Sequence, residues 1–503
     1  MKTEQNTFLK SLGTFLIGLC LIFASLVPCH IFFTCFMHDF NKTLSIMAEC
    51  AFRSGFVILP GPATSPSPSS WDTASGSAVF FTLTIGALSY SAGDFCSVFF
   101  CGWFRSLKTR FSASACFILG ISCLLYFTGM PFVFPVCFLI TGVLAVFLRL
   151  FYFKGHEFRK RMEVILICFA AIALFLFSIQ GSGKGIGFFT GVRDRVLFGT
   201  AAGERIIDFY YKHNLYGAEV IKKPESRIVR AVSAGETDQA TVFDDIKSAF
   251  ERKGFAFVKG NGCRAFYEVS LKNGVVGISS GKKIVYSAGI DKLKSDPTGF
   301  FKNFYLKSDN AEYLRFMVFI SFCFGIPFIF LGQLADSFIQ FPGTFSKKKT
   351  LIIMLILISM SASFVYIQSR EKKYPDHNEL NKMLKSGDNE QRIYAMGLIL
   401  KMKMDPDGFA MPDVFPGKGA PRERILYLYL ASRIGGNDKF ETISPFVEDP
   451  YPYVSCQAIR FLSQLGDSRS APVFEKILRT HSNIYVQLTA MEALKSWKNR
   501  KNQ

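Results

Sequence analysis

Long runs without a formal charge dominate the pattern of apolar and polar positions along this chain. Ser11–Met37 is the first, with 27 residues. A second starts at Thr73, is interrupted only by Asp94 and ends at Phe104. Phe111–Leu148 is uncharged for 38 residues. As one helix it would be about 57 Å long, nearly twice the hydrocarbon thickness of a bilayer. Gly129-Met130-Pro131 near its middle therefore predicts the turn of a two-helix hairpin. Val164–Gly183, Phe316–Ala335 and Thr350–Ser369 give 20 residues each. The pattern predicts seven membrane spans.

Polar stretches with their own periodicity separate these runs and set the expected domains. Residues 1–179 hold spans one to five, 180–313 an inserted α+β domain, 314–369 spans six and seven, and 370–503 a helical domain. The expected fold class is a mainly α polytopic membrane protein carrying these two water-soluble parts. Within 180–313, Asp194–Tyr211 reads as a helix interrupted by Gly199 and Gly203. Val242, Phe243, Ile246, Ala249 and Phe250 repeat at helical spacing until Gly254. The period then changes to two: Ala265, Tyr267, Val269 and Leu271 alternate with polar positions. Asn273-Gly274 supplies a type I′ turn into Val275–Ile278, and Lys283–Tyr286 adds a third antiparallel strand. Residues 60–77, rich in Pro and Ser, read as a flexible connector, too poor in apolar residues to fold.

Basic residues orient the spans. Arg105, Lys108 and Arg110 follow span two, Arg149, Lys154 and residues 159–161 follow span four, and Lys347–Lys349 follow span six. All fall on one side if the N-terminus, with Lys2 and Lys10, is cytoplasmic. Both soluble regions then face outward. The implied location is a bacterial inner (plasma) membrane. Span one also has the flanks of a signal peptide, but its length favours a retained helix.

Composition changes the picture only at its edges. Half the residues are apolar, 19% are charged, and Phe alone accounts for 56. Disordered and collagen-like classes are excluded. The net charge of +19 is spread over every region with no basic stripe, so a nucleic-acid partner is not expected. Thirteen cysteines without CxxC spacing indicate no disulfide framework.

Self-similarity is the strongest signal in the chain. Asp449-Pro450 opens a helix carrying Val454, Ala458 and Leu462, and Leu465-Gly466-Asp467 closes it. Val486, Ala490 and Leu494 repeat that pattern. Upstream, Arg424, Tyr427 and Ala431 align with Arg392, Ala395 and Ile399. Phe440–Val447 and Ala471–Leu478 read as return helices. Over about 378–500 this resembles HEAT-like repeats of the phycobilisome-lyase type, whose units run D-P-x-x-x-V-R-x-x-A-x-x-x-L-x-x-L-G-D. The resemblance implies an α-solenoid whose repeat core holds Val454, Ala458, Leu462, Val486, Ala490 and Leu494, and a protein partner on its surface. It does not imply lyase activity. This chain departs from the pattern where Ser455 and Gln487 replace the usual Arg.

Candidate chemistry is sparse. Asp94, preceded by Ser89, Ser91, Ala92 and Gly93, is the candidate intramembrane polar site. An intramembrane carboxylate is a functional candidate by default. The bland reading, a hydrogen bond to a neighbouring helix, is favoured by those small residues and by the lack of a second charge at similar depth. Asp336, beside Gln333, reads as an interface residue. Cys29, His30, Cys35, His38 and Asp39 cluster near the end of span one, where Cys35 with His38 or Asp39 has metal-ligand spacing but no further ligands. Gly181–Gly187 lacks Walker spacing and reads as a hinge. No residue is assigned to catalysis, a metal or a cofactor, and no motif makes a positive case for an enzyme. The expectation is a membrane-anchored interaction or assembly protein. The alternative is a transporter or integral-membrane enzyme using Asp94.

Overall fold

The computed structural model describes residues 2–56, 59–101, 103–151, 200–228, 230–238, 240–258, 265–281, 283–309, 311–329, 331–332, 375–434 and 439–501. Val164–Gly183, Thr350–Ser369, the end of Phe316–Ala335, the basic runs at 154–161 and 347–349, Asp336, Gln333 and Gly181–Gly187 lie outside the described residues. Five helices in the described part are long and apolar enough to cross a membrane. They are α1 (Lys2–Arg53), the pair α2 (Trp71–Phe81) and α3 (Ala87–Cys101), α4 (Leu107–Phe127), α5 (Val133–Phe151) and the helix that begins as α10 (Glu312–Ile320).

Each forms where the pattern requires. The 38-residue run folds as the expected hairpin: α4 ends at Thr128, Gly129 turns at φ +84°, and α5 returns. α1 continues well past the first apolar run to Arg53, and Pro28 lies inside it. α2 starts at Trp71 because Ser70 caps it, its side chain accepting from the Thr73 N–H. Residues 71–77 are thus helix, with Thr73, Ala74, Gly76 and Ser77 buried, not part of a flexible connector. The rest of that segment is also held in place. Leu59 is fully buried in the core of the C-terminal domain, and the Ser65 N–H donates to the Ser482 carbonyl. Only the connector's composition had argued against this, and composition does not count partners supplied by a distant part of the chain.

The inserted domain is a five-stranded mixed sheet in the order β2-β1-β3-β4-β5. The expected antiparallel trio is present as β3 (Tyr267–Lys272), β4 (Val275–Ser280) and β5 (Lys283–Gly289). Tyr267, Val269 and Leu271 point inward, and Asn273 and Gly274 turn at φ 51° and 72°. Two parallel strands extend it, β1 (Ala231–Thr237) and the three-residue β2 (Ala256–Val258), joined through α7 (Ala240–Arg252). Helices α7, α8 (Ile290–Ser295) and α9 (Pro297–Ser308) share one aromatic-rich core with the sheet, in which Phe250, Phe300 and Phe304 are fully buried. Helix α6 (Ala201–Ile221) precedes the sheet and packs along α2; the part of the expected helix before Thr200 is outside the described residues. Ala231, Ala256 and Val258 pack with Cys50 and Ala51 at the end of α1.

The C-terminal domain is all helical: α11 (His377–Leu384), α12 (Asn389–Lys401), α13 (Pro421–Ala431), α14 (Lys439–Ile443) with a 3-10 turn to Glu448, α15 (Pro452–Leu465), α16 (Ser470–Thr480) and α17 (Ile484–Lys501). α12 packs on α13, α13 on α15, and α15 on α17. Val454, Ala458, Leu462, Val486 and Ala490 are fully buried between them. Leu494 is only partly buried and lines a cleft facing the inserted domain. This domain, the inserted domain and the 59–70 strap therefore sit together at one end of the helix bundle.

Cys50 departs from the sequence reading, because it is disulfide-bonded. The other described cysteines are free.

Ala490→Asp in the full chain will put an unpaired carboxylate into the α15–α17 seam, with an expected loss of about 3–5 kcal/mol. Its thermal midpoint, followed by circular dichroism in detergent, should fall sharply, whereas Glu492→Ala on the exposed face should leave it unchanged.

Candidate functional site

Asp94 is buried, and it has a charged partner: its Oδ1 lies 3.5 Å from the Arg149 Nε, both side chains being 6% exposed. Arg149 stands in the last turn of α5 and had counted as part of the basic cluster following span four. The expectation that no second charge shares the depth of Asp94 is therefore wrong. Charge-gap counting puts a residue that ends an apolar run outside it, while the arrangement of α3 beside α5 brings the guanidinium inward. A carboxylate and a guanidinium that neutralise each other remain affordable in an apolar bundle where either alone would not.

The small residues before Asp94 do bring α5 close. A Cβ on Gly93 would lie 2.2 Å from the Gly142 carbonyl oxygen, and one on Gly142 would lie 2.8 Å from Ile118 on α4. Ser89 donates to the Phe138 carbonyl across the same seam.

A second polar contact joins two wide π-helical turns, Thr82–Gly86 between α2 and α3 and Ser321–Gly325 after α10. A π turn loosens the regular ladder and leaves carbonyls available to outside donors. Each turn receives a hydroxyl from the other helix: Ser321 donates to the Thr84 carbonyl, and Ser91 to the Gly325 carbonyl at 2.8 Å. His30 on α1 completes this belt, with Nδ1 3.1 Å from Thr82 Oγ1 and Nε2 3.2 Å from Ser75 Oγ. His30 thus bonds hydroxyls and does not join its sequence neighbours. Cys29 is buried, Cys35 is exposed, and His38 stacks on Trp71 at 4.0 Å. Among the described residues no group of His, Cys, Asp and Glu is placed to hold a metal.

The C-terminal domain contains a regularity that pattern matching alone had not shown. Arg392, Arg424, Ser455 and Gln487 recur at intervals of 32, 31 and 32 residues. Each donates to the backbone carbonyl six residues before it: Arg392 to Ser386, Arg424 to Lys418, Ser455 to Asp449 and Gln487 to His481. The side chain at this position thus closes the turn leading into its own helix. Arg424 also lies 2.9 Å from Asp449, a fully buried pair, and Asp449 accepts from the Gly417 and Tyr451 N–H groups.

Gln487 adds a second bond. Its Oε1 accepts from the Gly61 N–H at 2.9 Å and from Thr64 Oγ1 at 3.2 Å. An arginine has no acceptor, so a residue like Arg392 or Arg424 at this place could close its own turn but not hold the strap. Gly61 is required there because a Cβ would come 2.6 Å from the Leu478 carbonyl. Tyr211 of α6 reinforces the junction, its ring 5.0 Å from Tyr485 and 6.1 Å from Tyr453, while Asn483 donates to its carbonyl. Burial pushes the Tyr211 and Tyr485 hydroxyls upward, keeping both protonated.

His213 is packed where α6 crosses α2. A Cβ on Gly76 would meet its ring at 2.3 Å, and Ser77 donates to its carbonyl. Burial, and then the Lys212 charge, hold the His213 pKa below its ordinary value; Asp208 and Asp72 pull weakly the other way. His481 at the strap is lowered too, by burial.

The chain matches no family model, no curated protein and no solved structure.

Two outcomes follow from this geometry. Removing one partner of the buried pair, by Asp94→Leu or Arg149→Leu, should cost about 3–5 kcal/mol by stranding the other charge. The double variant should recover part of that loss in thermal unfolding, which shared pairing requires and independent roles do not. Acidification supplies the second. A histidine held neutral by folding gives stability that is present above its unfolded pKa of about 6.5 and lost as pH falls through that value toward the lowered folded one. Between about pH 7 and pH 5 the thermal midpoint should therefore drop, and His213→Gln should flatten the profile.

Proposed function

We propose that this protein is a membrane-anchored interaction or assembly factor that presents its C-terminal helical domain to a protein partner outside the cytoplasm. The observation that carries the reading is the seat of that domain. Gln487 and its neighbours fix the helices to the strap between α1 and α2, so their surface is offered in a set orientation relative to the apolar bundle. The four turn-closing donors at 31- and 32-residue intervals support a repeat array of the HEAT-like kind. Such stacks mainly supply extended binding surfaces.

The disulfide at Cys50 supports an outward orientation. Disulfides persist in oxidising compartments, and Cys50 ends α1 on the side where the strap and both soluble domains gather. That agrees with a cytoplasmic N-terminus and a plasma-membrane location. A transporter or membrane enzyme working through Asp94 is the second reading. The paired π turns favour it, since such turns recur at functional sites. The pairing of Asp94 with Arg149 and the tight contact of α3 with α5 favour a structural carboxylate.

On intact cells, a membrane-impermeant amine reagent should modify Lys283 and Lys476 but not Lys108, and modification of Lys108 with protection of the other two would invert the orientation. In-cell cross-linking of the full chain should capture partners that a chain lacking 374–503 does not, and an unchanged partner set would remove the interaction role.

A further inference from the structure

Three parts of the chain meet around a cleft of about 430 Å³. The turn after α1 contributes Gly55 and Phe56, the inserted domain contributes Arg230 and Phe255, and α16 and α17 contribute Arg479 and Lys495. Its floor is apolar, with Ile228, Leu478, Met491 and Leu494 beside the two phenylalanines. Leu494 keeps the repeat spacing but is only partly buried, unlike the other five repeat positions, because it lines this opening.

Three cations face the cleft, and its two acids do not answer them. Glu251 is turned to Lys247 at 3.7 Å. Among the described residues, no ion pair joins Arg230, Arg479, Lys495 or Glu475 to an opposite charge. Arg230 is held before any ligand arrives: its Nη1 donates to the Lys253 carbonyl at 3.0 Å, and its guanidinium lies 5.8 Å over the Phe255 ring. The buried Arg230 Nε has no hydrogen-bond partner among the described residues. Partial burial, and then the nearby Arg230 charge, lower the Lys495 pKa from its ordinary value, against an upward pull from Glu492 on the same helix. Gathering like charges at an interface is unfavourable unless an anion joins them.

We propose that this cleft binds a small amphipathic anion, a carboxylate on an apolar or aromatic body, with its head against Arg230, Arg479 and Lys495 and its body on the Phe56–Phe255 floor. The head supplies the missing counter-charge, and the body covers apolar surface that three packed units leave open. A free small acid and the carboxyl terminus of a peptide share this chemistry. The inference stands apart from the assembly role, because it concerns the junction of the domains and not the outer face of the helices.

The test is calorimetric titration of the full chain in lipid nanodiscs with phenylacetate and with N-acetyl-phenylalanine. Saturable binding of either acid is expected, with phenylacetamide and N-acetyl-phenylalanine amide silent. Tighter binding of phenylacetate points to a free acid, and tighter binding of N-acetyl-phenylalanine to a chain end. The exposed pair Arg479→Gln and Lys495→Gln together should weaken binding by about tenfold or more at an unchanged thermal midpoint. Leu494→Trp should block it by filling the floor, and added salt should weaken it. Equal binding of acid and amide, retention of affinity in the double variant, or no saturable binding would overturn the proposal.

Discussion

One buried amide ties the last helix of the chain to the loop between its first two apolar helices. Gln487 donates to the His481 carbonyl as its counterparts do in the preceding units, and its remaining oxygen takes the Gly61 N–H. A buried backbone donor left unpaired costs about 1–3 kcal/mol, so the strap and the helix hold each other in place. Around this contact the rest of the soluble part arranges itself. Leu59 enters the C-terminal core, Tyr211 fills the space between Tyr453 and Tyr485, and the first strands lean on the end of α1. The result is one packed assembly built from three segments distant in sequence.

The bundle obeys the same constraint in a drier setting. Apolar surroundings offer no water to a stray hydroxyl or charge. Three sets of polar groups here are met by another helix, while Asn41, Ser114, Ser122 and Thr141 are buried with no hydrogen-bond partner among the described residues. Asp94 meets Arg149, Ser89 reaches a carbonyl of α5, and each π turn accepts a serine hydroxyl from the other helix, Ser321 to Thr84 and Ser91 of α3 to Gly325. Such bonds need close backbones, and Gly93, Gly142 and Gly325 permit them: a Cβ on Gly325 would stand 3.1 Å from the Leu88 Cα. Small residues and polar groups therefore occur together in these helices for one reason.

How much of this was legible in the sequence follows from the range of the interaction. Charge gaps gave the apolar helices and the α4–α5 hairpin, because a helix in lipid is specified by its own composition. Alternation and Asn273-Gly274 gave β3 and β4. β1 was missed because Ala231-Val232-Ser233-Ala234-Gly235 has no β-branched alternation, and β2 because three residues carry no period; only their parallel neighbours make them strands. The Arg149 partner, the Cys50 disulfide and the ordered strap were equally invisible, each depending on residues far away in the chain. Gln487 is the instructive case. Its departure from the repeat pattern was visible, but a missing Arg reads as decay of the motif until the acceptor it provides is seen holding Gly61.

Hydrogen–deuterium exchange across residues 59–70 of the full chain tests the central claim most directly. If Gln487 seats the C-terminal helices on the strap, the Gly61 and Ser65 amides will exchange slowly. Gln487→Arg, which keeps a donor for the His481 carbonyl but has no acceptor, will then speed exchange at Gly61. Fast exchange at both amides in the unaltered chain, unchanged by the substitution, would mean that the strap is free and that the C-terminal domain is merely tethered.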